Sequence, residues 1–184
     1  MRSRQRLGIL VLAFVLNACA SLPQDEAPLA SDGFEVNGRV AVRYGQEAAS
    51  GRVAWRHSGE KDDLLISNPL GQGIAELSRR DGVYMLRTAE GHEYKAPDPE
   101  ALTEQALGWR LPLIGLPEWI RGRALSTAPA QRKMDGQRLA TLDQLGWHIE
   151  YLAWDEARNL PQRLRLTRDD LDIRLAIEEW NTAP

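Results

Sequence analysis

The sequence predicts an α+β fold in which a large curved antiparallel sheet carries short helices over one face or mouth. Two observations lead to this prediction. Segments of alternating apolar and polar residues fill the first and last thirds of the chain, whereas the middle third is rich in proline and has helix-start signals. Strands followed by helices and again by strands are typical of such a fold.

The first third is predicted to be a meander of six strands. Residues 34–44 alternate apolar or small side chains with polar ones, the period of a half-buried strand. Asp81-Gly82 has the composition of a tight hairpin turn. The other predicted strands cover residues 50–57, 64–66, 73–79, 83–88 and 92–96.

The middle third is predicted to hold two helices. Asp98, Pro99 and Glu100 supply a cap, a first-turn proline and an early acid, so a helix is expected over residues 99–107, ending at Gly108. A shorter helix is expected over residues 116–121.

The last third returns to strands, predicted at residues 138–144, 147–154, 163–168 and 171–179. In the closing strand one face is apolar and the other polar. The apolar face consists of Leu171, Ile173, Leu175 and Ile177.

The first 18 residues have the layout of a secretory signal. Arg2, Arg4 and Arg6 precede the apolar run 7–16, which is about half as long as a membrane-spanning helix requires, and the small residue Ala18 follows. We therefore divide the chain into a signal at 1–18, a flexible tether at 19–33 and a single folded domain at 34–184.

Cys19 is the only cysteine of the chain and follows Leu16-Asn17-Ala18 directly. A lone thiol in an exported protein has no disulfide partner, which favours a chemical use for it. Leu-Asn-Ala-Cys resembles the bacterial lipobox, in which the cysteine becomes the lipidated first residue. Ala20 and Ser21 then imply the outer membrane, facing the periplasm, as the destination. An ordinary cleaved signal with an incidental Cys19 remains the alternative.

The charge balance argues against binding to nucleic acid. Without the three signal arginines, 20 basic residues stand against 26 acidic ones, a formal charge of −6. We therefore do not expect the chain to bind nucleic acid through its phosphates, which would call for a basic stripe.

The sequence supports neither a catalytic centre nor a metal or cofactor site. His57, His92 and His148 are scattered, without metal-ligand spacing. Ser58 beside His57 is the best nucleophile–base pair, but strand neighbours point to opposite faces. We expect no enzyme, no cofactor and no metal, and keep a lipid-anchored periplasmic hydrolase as an alternative function.

Leu70 is an unusual apolar residue within Asn68-Pro69-Leu70-Gly71, a sequence of turn formers between two strands. A turn tip faces solvent. Leu70 either folds back onto the core or touches a membrane or an apolar ligand.

Six tryptophans and a proline-cut apolar segment favour a cavity with a lid over a plain β domain. Tryptophans are ordinary core residues. However, Trp147 and Trp154 lie seven apart on one predicted strand and should face opposite sides. Candidate cavity or lid residues are Trp55, Leu113, Ile114, Leu116, Trp119, Ile120 and Trp147.

An ordered set of short motifs over essentially all of the mature chain resembles the LolB family of outer-membrane lipoprotein receptors. The set comprises Gly38-Arg39-Val40-Ala41-Val42, Trp55, Asn68-Pro69-Leu70-Gly71, Leu107-Gly108-Trp109 with Leu111-Pro112, Trp119-Ile120-Arg121-Gly122, Gln144-Leu145-Gly146-Trp147 and Trp180.

This resemblance implies an incomplete antiparallel β-barrel, LolA/LolB-like, closed by helices around an apolar cavity. It implies a receptor that takes acylated lipoproteins from the periplasmic carrier LolA and inserts them into the outer membrane without nucleotide or metal. Leu70, with Pro69 and Gly71, resembles the family's membrane-insertion loop. We expect a monomer anchored through Cys19, and keep a structural lipoprotein with an apolar partner-binding patch as a further alternative.

Overall fold

The computed structural model describes residues 29–183, which form one antiparallel sheet of eleven strands and two short helices. The elements in chain order are β1 (Phe34–Tyr44), β2 (Glu47–Ser58), β3 (Lys61–Ser67), β4 (Gly73–Arg80), β5 (Val83–Thr88), β6 (Glu93–Ala96), α1 (Pro99–Leu107), α2 (Leu116–Trp119), β7 (Ala130–Asp135), β8 (Arg138–Gln144), β9 (Trp147–Asp155), β10 (Leu160–Arg168) and β11 (Leu171–Thr182).

The sheet is curved and does not close into a barrel, which confirms the predicted fold class. Its strand order is β6-β5-β4-β3-β2-β1-β11-β10-β9-β8-β7. The first and last strands of the chain therefore pair at the centre, and β6 and β7 are the two edges. The segment between these edges carries both helices, so it bridges the two sides of the open sheet.

The first helix has the predicted bounds and caps. The Asp98 carboxylate accepts hydrogen bonds from the backbone N–H groups of Glu100 at 3.0 Å and Ala101 at 3.4 Å. Gly108 ends the helix at φ +82°, a conformation that favours glycine. The second helix is shorter than predicted, because the chain leaves it in a turn closed by Gly122 N–H and the Trp119 carbonyl at 2.9 Å.

Strand β7 was not predicted from the sequence. All its residues except Ala130 are exposed, so they lack the apolar alternation on which the prediction relied. The turn signal Asp135-Gly136, with Gly136 at φ +59°, was the available indication of a hairpin to β8.

The core lies on the inner face of the sheet and includes side chains from nearly every element. Trp147 is fully buried, and Trp154 is partly buried against the same core. The prediction that these two rings face opposite sides was wrong, because the β9–β10 register shifts around Pro161 and Arg163 and changes the alternation. Trp154 stacks on Tyr151, with ring centroids 5.5 Å apart.

Candidate functional site

An apolar cavity of about 250 Å³ lies between the inner face of the sheet and the helical segment. The sheet supplies most of its wall through the inward side of each strand's alternation. These residues are Val36, Val40, Val42, Ala49, Ser50, Gly51, Val53, Trp55, Leu64, Ile66, Ile74, Ala75, Leu166, Ile173 and Leu175. Apart from Ser50, whose side chain the register places on the same outer side as Arg52, the wall residues are apolar or aromatic, so this wall suits an apolar ligand.

The helical segment covers the cavity with side chains from the end of α1, the loop after it and the start of α2. The cavity residues of this cover are Leu107, Trp109, Leu111, Pro112 and Leu116. The cover is attached to α1 through the Leu111 N–H, which donates to Thr103 Oγ1 at 2.9 Å. An exposed ion pair between Arg110 and Glu104, at 2.7 Å, adds little.

The other end of the cover, from Trp119 of α2 to Ala128, is held more firmly by the buried side chain of Gln144. Its Oε1 accepts from the Trp119 indole N–H and from the Leu125 N–H, both at 2.8 Å. Its Nε2 donates to the carbonyls of Leu125 at 2.8 Å and Ala128 at 2.9 Å. Burial raises the pKa of Tyr151, so its hydroxyl remains protonated and donates to the Trp119 carbonyl at 3.0 Å. Trp119 therefore anchors this end of the cover.

Trp55, the tryptophan of the sheet wall, is oriented by a buried carboxylate. Its indole N–H donates to Asp62 Oδ1 at 2.9 Å. The same carboxylate contacts His57 Nδ1 at 2.7 Å and Arg79 Nε at 2.6 Å. Burial opposes ionisation of Asp62, but the hydrogen bond and charge of His57, the charge of Arg79 and the Trp55 hydrogen bond outweigh it and lower the pKa.

The loop between β3 and β4 is an ordered turn that holds Leu70 outward. Asn68 Oδ1 accepts from the N–H groups of Leu70 and Gln72, each at 3.0 Å, and Asn68 Nδ2 donates to Gln72 Oε1 at 2.8 Å. Gly71 has φ +88°, which favours glycine. The Leu70 side chain is 88% exposed and therefore does not fold back onto the core.

This loop stands at one end of the cavity. The residues that flank it, Ile66 at the end of β3 and Ile74 at the start of β4, line the cavity wall. Gly51 allows β2 to pass close to the loop base, because a Cβ at this position would overlap the Ser67 carbonyl oxygen. An exposed apolar tip and an apolar cavity thus occupy the same end of the molecule.

The structure places the sequence-predicted cavity or lid residues in three environments. Trp55 and Leu116 line the cavity. Ile114 is 51% exposed. The others are buried without lining the cavity, namely Leu113, Trp119, Ile120 and Trp147.

Several cavity residues were not among those predicted. Val36, Val40 and Val42 on β1 and the inward side of β11 line it, and their alternation was visible in the sequence. Trp109 also lines it and belongs to the motif Leu107-Gly108-Trp109. The alternation indicated which side chains face inward, but not where the inner face is left unfilled.

The geometry around His57 and Ser58 does not form a nucleophile–base pair. Ser58 Oγ accepts a hydrogen bond from the Ala30 N–H at 2.9 Å, and among the described residues no hydrogen bond joins it to His57, whose Nδ1 contacts Asp62. Within residues 29–183, no three histidine, cysteine or carboxylate side chains cluster closely enough to hold a metal. No helix in that range is long and apolar enough to cross a membrane. Cys19 and the signal lie outside the described residues.

Comparisons with known proteins identify similar chains. A family model described as "Outer membrane lipoprotein LolB" matches residues 32–180. Proteins named outer-membrane lipoprotein LolB from Pseudomonas fluorescens (strain Pf0-1) and Pseudomonas putida (strain GB-1) are 40% and 39% identical over 152 residues. Each match covers 81% of this chain and 74% of the relative.

A solved structure shares the fold alone. The crystal structure of a DUF1329 family protein from Desulfovibrio piger matches with a TM-score of 0.56 at 7% sequence identity. The match covers 83% of this chain and 86% of that protein.

Proposed function

Because this chain belongs to the family of the outer-membrane lipoprotein LolB, we propose that it is an outer-membrane receptor that binds the acyl chains of lipoproteins and inserts these proteins into the membrane. Its cargo is the acylated lipoproteins of the Lol pathway. Its role is transport and not catalysis, which agrees with a Ser58 and His57 geometry that offers no nucleophile–base pair.

The observation that carries the proposal is the position of the apolar cavity beside an exposed apolar loop. Burial of an acyl chain away from water is favourable by about 0.8 kcal/mol for each CH₂ group, so a long chain does not cross the periplasm exposed to water. The cavity offers such a chain an apolar wall, and the loop offers a contact with the bilayer that receives it.

The cavity must enlarge before it can take long acyl chains. Its 250 Å³ falls below the range of about 300–1,000 Å³ for typical ligand pockets. The part of the cover from Leu107 to Pro112 is hydrogen-bonded to α1 through Leu111 and Thr103, whereas the Trp119 end is fixed to the sheet by Gln144. We therefore propose that the Leu107–Pro112 part moves outward and that Trp119 stays in place.

The partners and the anchor complete the proposal. The receptor takes its cargo from the periplasmic carrier LolA, works as a monomer, and is held in the outer membrane by acyl chains on Cys19, which the tether 19–33 links to the domain. Two or more acyl chains hold a protein firmly at a membrane, whereas one gives only marginal binding. Leu70, supported by Pro69 and Gly71, enters the bilayer during insertion.

The test is mass spectrometry of the purified receptor after incubation with carrier-borne lipoprotein. The wild-type protein should carry the acylated cargo. Val53→Phe narrows the cavity without introducing a polar group and should reduce the bound fraction at least fivefold. Val83→Phe is the matched control, because Val83 is half exposed on β5 and is not a cavity residue.

Three results would contradict the proposal. Cargo retained equally by Val53→Phe and wild type would place the acyl chains elsewhere. A hydrolytic activity that is abolished when Ser58 and His57 are both replaced would favour the hydrolase alternative. Failure to extract cargo, with the fold intact, would favour the structural lipoprotein.

A further inference from the structure

A groove lined by four arginines runs across the outer face of the sheet, on the side opposite the cavity. The lining arginines are Arg39 on β1, Arg52 on β2, Arg163 on β10 and Arg174 on β11. All four side chains are exposed. Among the groove residues that the structure describes, none is acidic. This concentration of positive charge stands out in a chain whose formal net charge is −3.

The strand register brings the arginines together. Arg39 lies directly opposite Arg52 on β2, and on its other side it pairs with Ala176, which in turn pairs with Arg163. Like charges directly opposite each other on neighbouring strands are destabilising. A row of this kind is therefore unfavourable in the isolated protein and becomes favourable when an anion lies across it.

The arginines of the groove are only partly neutralised by the protein itself. Arg39 pairs with Glu178 at 2.6 Å, and Arg174 lies 3.3 Å from Asp172, which it shares with Arg165. Arg52 and Arg163 make no ion pair with any carboxylate in the described part of the chain. Two guanidinium groups are thus available to an external anion.

The groove begins directly behind the exposed loop tip. Pro69 lines the groove, and Leu70 is its chain neighbour, with about 3.8 Å between consecutive Cα atoms. Leu152, an exposed apolar residue of β9, lines the groove as well. An apolar side chain that enters a membrane surface reaches about 5–10 Å into the boundary between headgroups and acyl chains. With Leu70 at that depth, the groove lies at the level of the phosphates.

From these observations we infer that the outer groove binds the phosphodiester headgroup of an anionic phospholipid while Leu70 enters the bilayer. Guanidinium groups form paired, charge-assisted hydrogen bonds with phosphate oxygens. This inference rests on the proposed function, because contact of the loop with the bilayer is what places the groove among headgroups. It adds a lipid preference that the apolar cavity alone does not provide.

A protein partner with an acidic surface is the other macromolecule that a basic groove could meet. The continuity of the groove with the Leu70 loop favours the lipid. The groove opens at the apolar tip, and a bilayer in contact with Leu70 would exclude a soluble partner from that position.

Hydrogen exchange on the acylated receptor, anchored in vesicles, tests the inference. In wild type, replacing about a third of zwitterionic phosphatidylcholine by phosphatidylglycerol should slow amide exchange in the loop and in the neighbouring parts of β1, β2 and β10. An arginine near an anionic surface contributes about fivefold to binding. Arg52→Gln with Arg163→Gln should therefore weaken the interaction with phosphatidylglycerol about 25-fold and remove most of this slowing. High salt should weaken the wild-type effect.

Arg132→Gln with Lys133→Gln is the matched control, because it removes the same charge from exposed positions on the edge strand β7. Cargo binding in the cavity, measured by mass spectrometry in parallel, should be normal in all variants. Cargo binding that is absent even in wild type would count against the proposed function, whatever the groove does.

Four outcomes would overturn the inference. The first is equal protection from exchange in the groove variant and in wild type, and the second is an equal loss of protection in the β7 control. The third is the same protection when inorganic phosphate replaces phosphatidylglycerol. The fourth is a groove variant that no longer binds the carrier but keeps the protection by phosphatidylglycerol. Thermal unfolding of each variant verifies that the sheet is intact.

Discussion

Leu70 is an apolar side chain on a loop whose shape does not depend on it. Asn68 and Gln72 hold the turn through hydrogen bonds. The Leu70 side chain is 88% exposed, so its contacts within the protein contribute little to folding. Full burial of a leucine side chain contributes about 1.5–3 kcal/mol. This free energy is available to whatever surface the loop meets.

Leu70→Glu should leave the free energy of unfolding within about 0.5 kcal/mol of wild type, as for exposed positions in general. It should slow cargo delivery to vesicles at least tenfold, because the loop loses about 2 kcal/mol of apolar transfer. Time courses of cargo transfer and urea unfolding check the two expectations. Met134→Glu, at a half-exposed position on β7, is the control; normal delivery by Leu70→Glu would refute the role of the loop.

Asp62 shows how one buried carboxylate supports the cavity wall. It joins Trp55, His57 and Arg79 in one network. Its pKa is lowered from an ordinary value of 3.8, so its stabilisation is fully present above about pH 3.8 and is lost as the pH falls through the lower folded-state value.

Asp62→Asn should lower the free energy of unfolding at pH 7 by about 3 kcal/mol, because it leaves the partly buried Arg79 guanidinium without its counter-charge. It should also flatten the loss of stability below about pH 4. Urea unfolding from pH 3 to pH 7 measures both effects. Asp63→Asn is the control, since its pair with Arg80 is exposed and contributes less than about 1 kcal/mol. A wild-type pH dependence in Asp62→Asn would contradict the assignment.

At the scale of elements, the loop and the cavity are joined by the close approach of β2 and β3. The base of the loop, at Ser67, lies against Gly51, which also lines the cavity. Any side chain at position 51 would push β2 and β3 apart at the base of the loop, beside the cavity.

Gly51→Ala should therefore destabilise the protein by about 1–3 kcal/mol, the usual cost of overpacking. Thermal unfolding provides the measurement. Gly73→Ala is the control on the other side of the loop, where a Cβ would meet only the Leu65 side chain at 3.6 Å. Equal melting temperatures for Gly51→Ala and Gly73→Ala would show that the strands can separate without cost.

At the scale of the whole molecule, one open sheet provides two separate surfaces. Its inner face and the helical segment form the cavity, while its outer face carries the arginine groove. The Leu70 loop stands where both surfaces reach the same end. The proposed anchor on Cys19 would keep this end near a membrane without taking part in the binding of cargo.

A Cys19→Ala chain, exported behind a conventional secretory signal, should bind cargo as wild type does but deliver it more slowly or to less appropriate membranes. The reason is that the anchor raises the local concentration of the receptor at the outer membrane, whereas the cavity supplies the affinity. Cargo extraction and delivery to vesicles, measured separately, test this. Loss of extraction would show that the anchor acts in binding.

The sequence by itself determined the order and type of most elements. The alternation in β1 and β11 and the capping residues of α1 are local signals, and both were confirmed. The edge strand β7 was missed, because an exposed edge needs no apolar alternation. The strand β9 was predicted, but not its irregularity, since a register shift depends on the partner strand β10.

The family and the turn at residues 68–71 also followed from the sequence, because ordered motifs and turn formers are local patterns. The outward direction of the Leu70 side chain, which the turn formers left open, was decided by the structure. Only the tertiary structure decided which apolar residues line the cavity and which fill the core. Trp55 and Trp119 look alike in the sequence, yet one lines the cavity and the other is tied to Gln144. The arginine groove likewise exists only after β2, β1, β11 and β10 are in register. Cavities and charged rows depend on contacts between residues far apart along the chain, and periodicity within a segment cannot specify them.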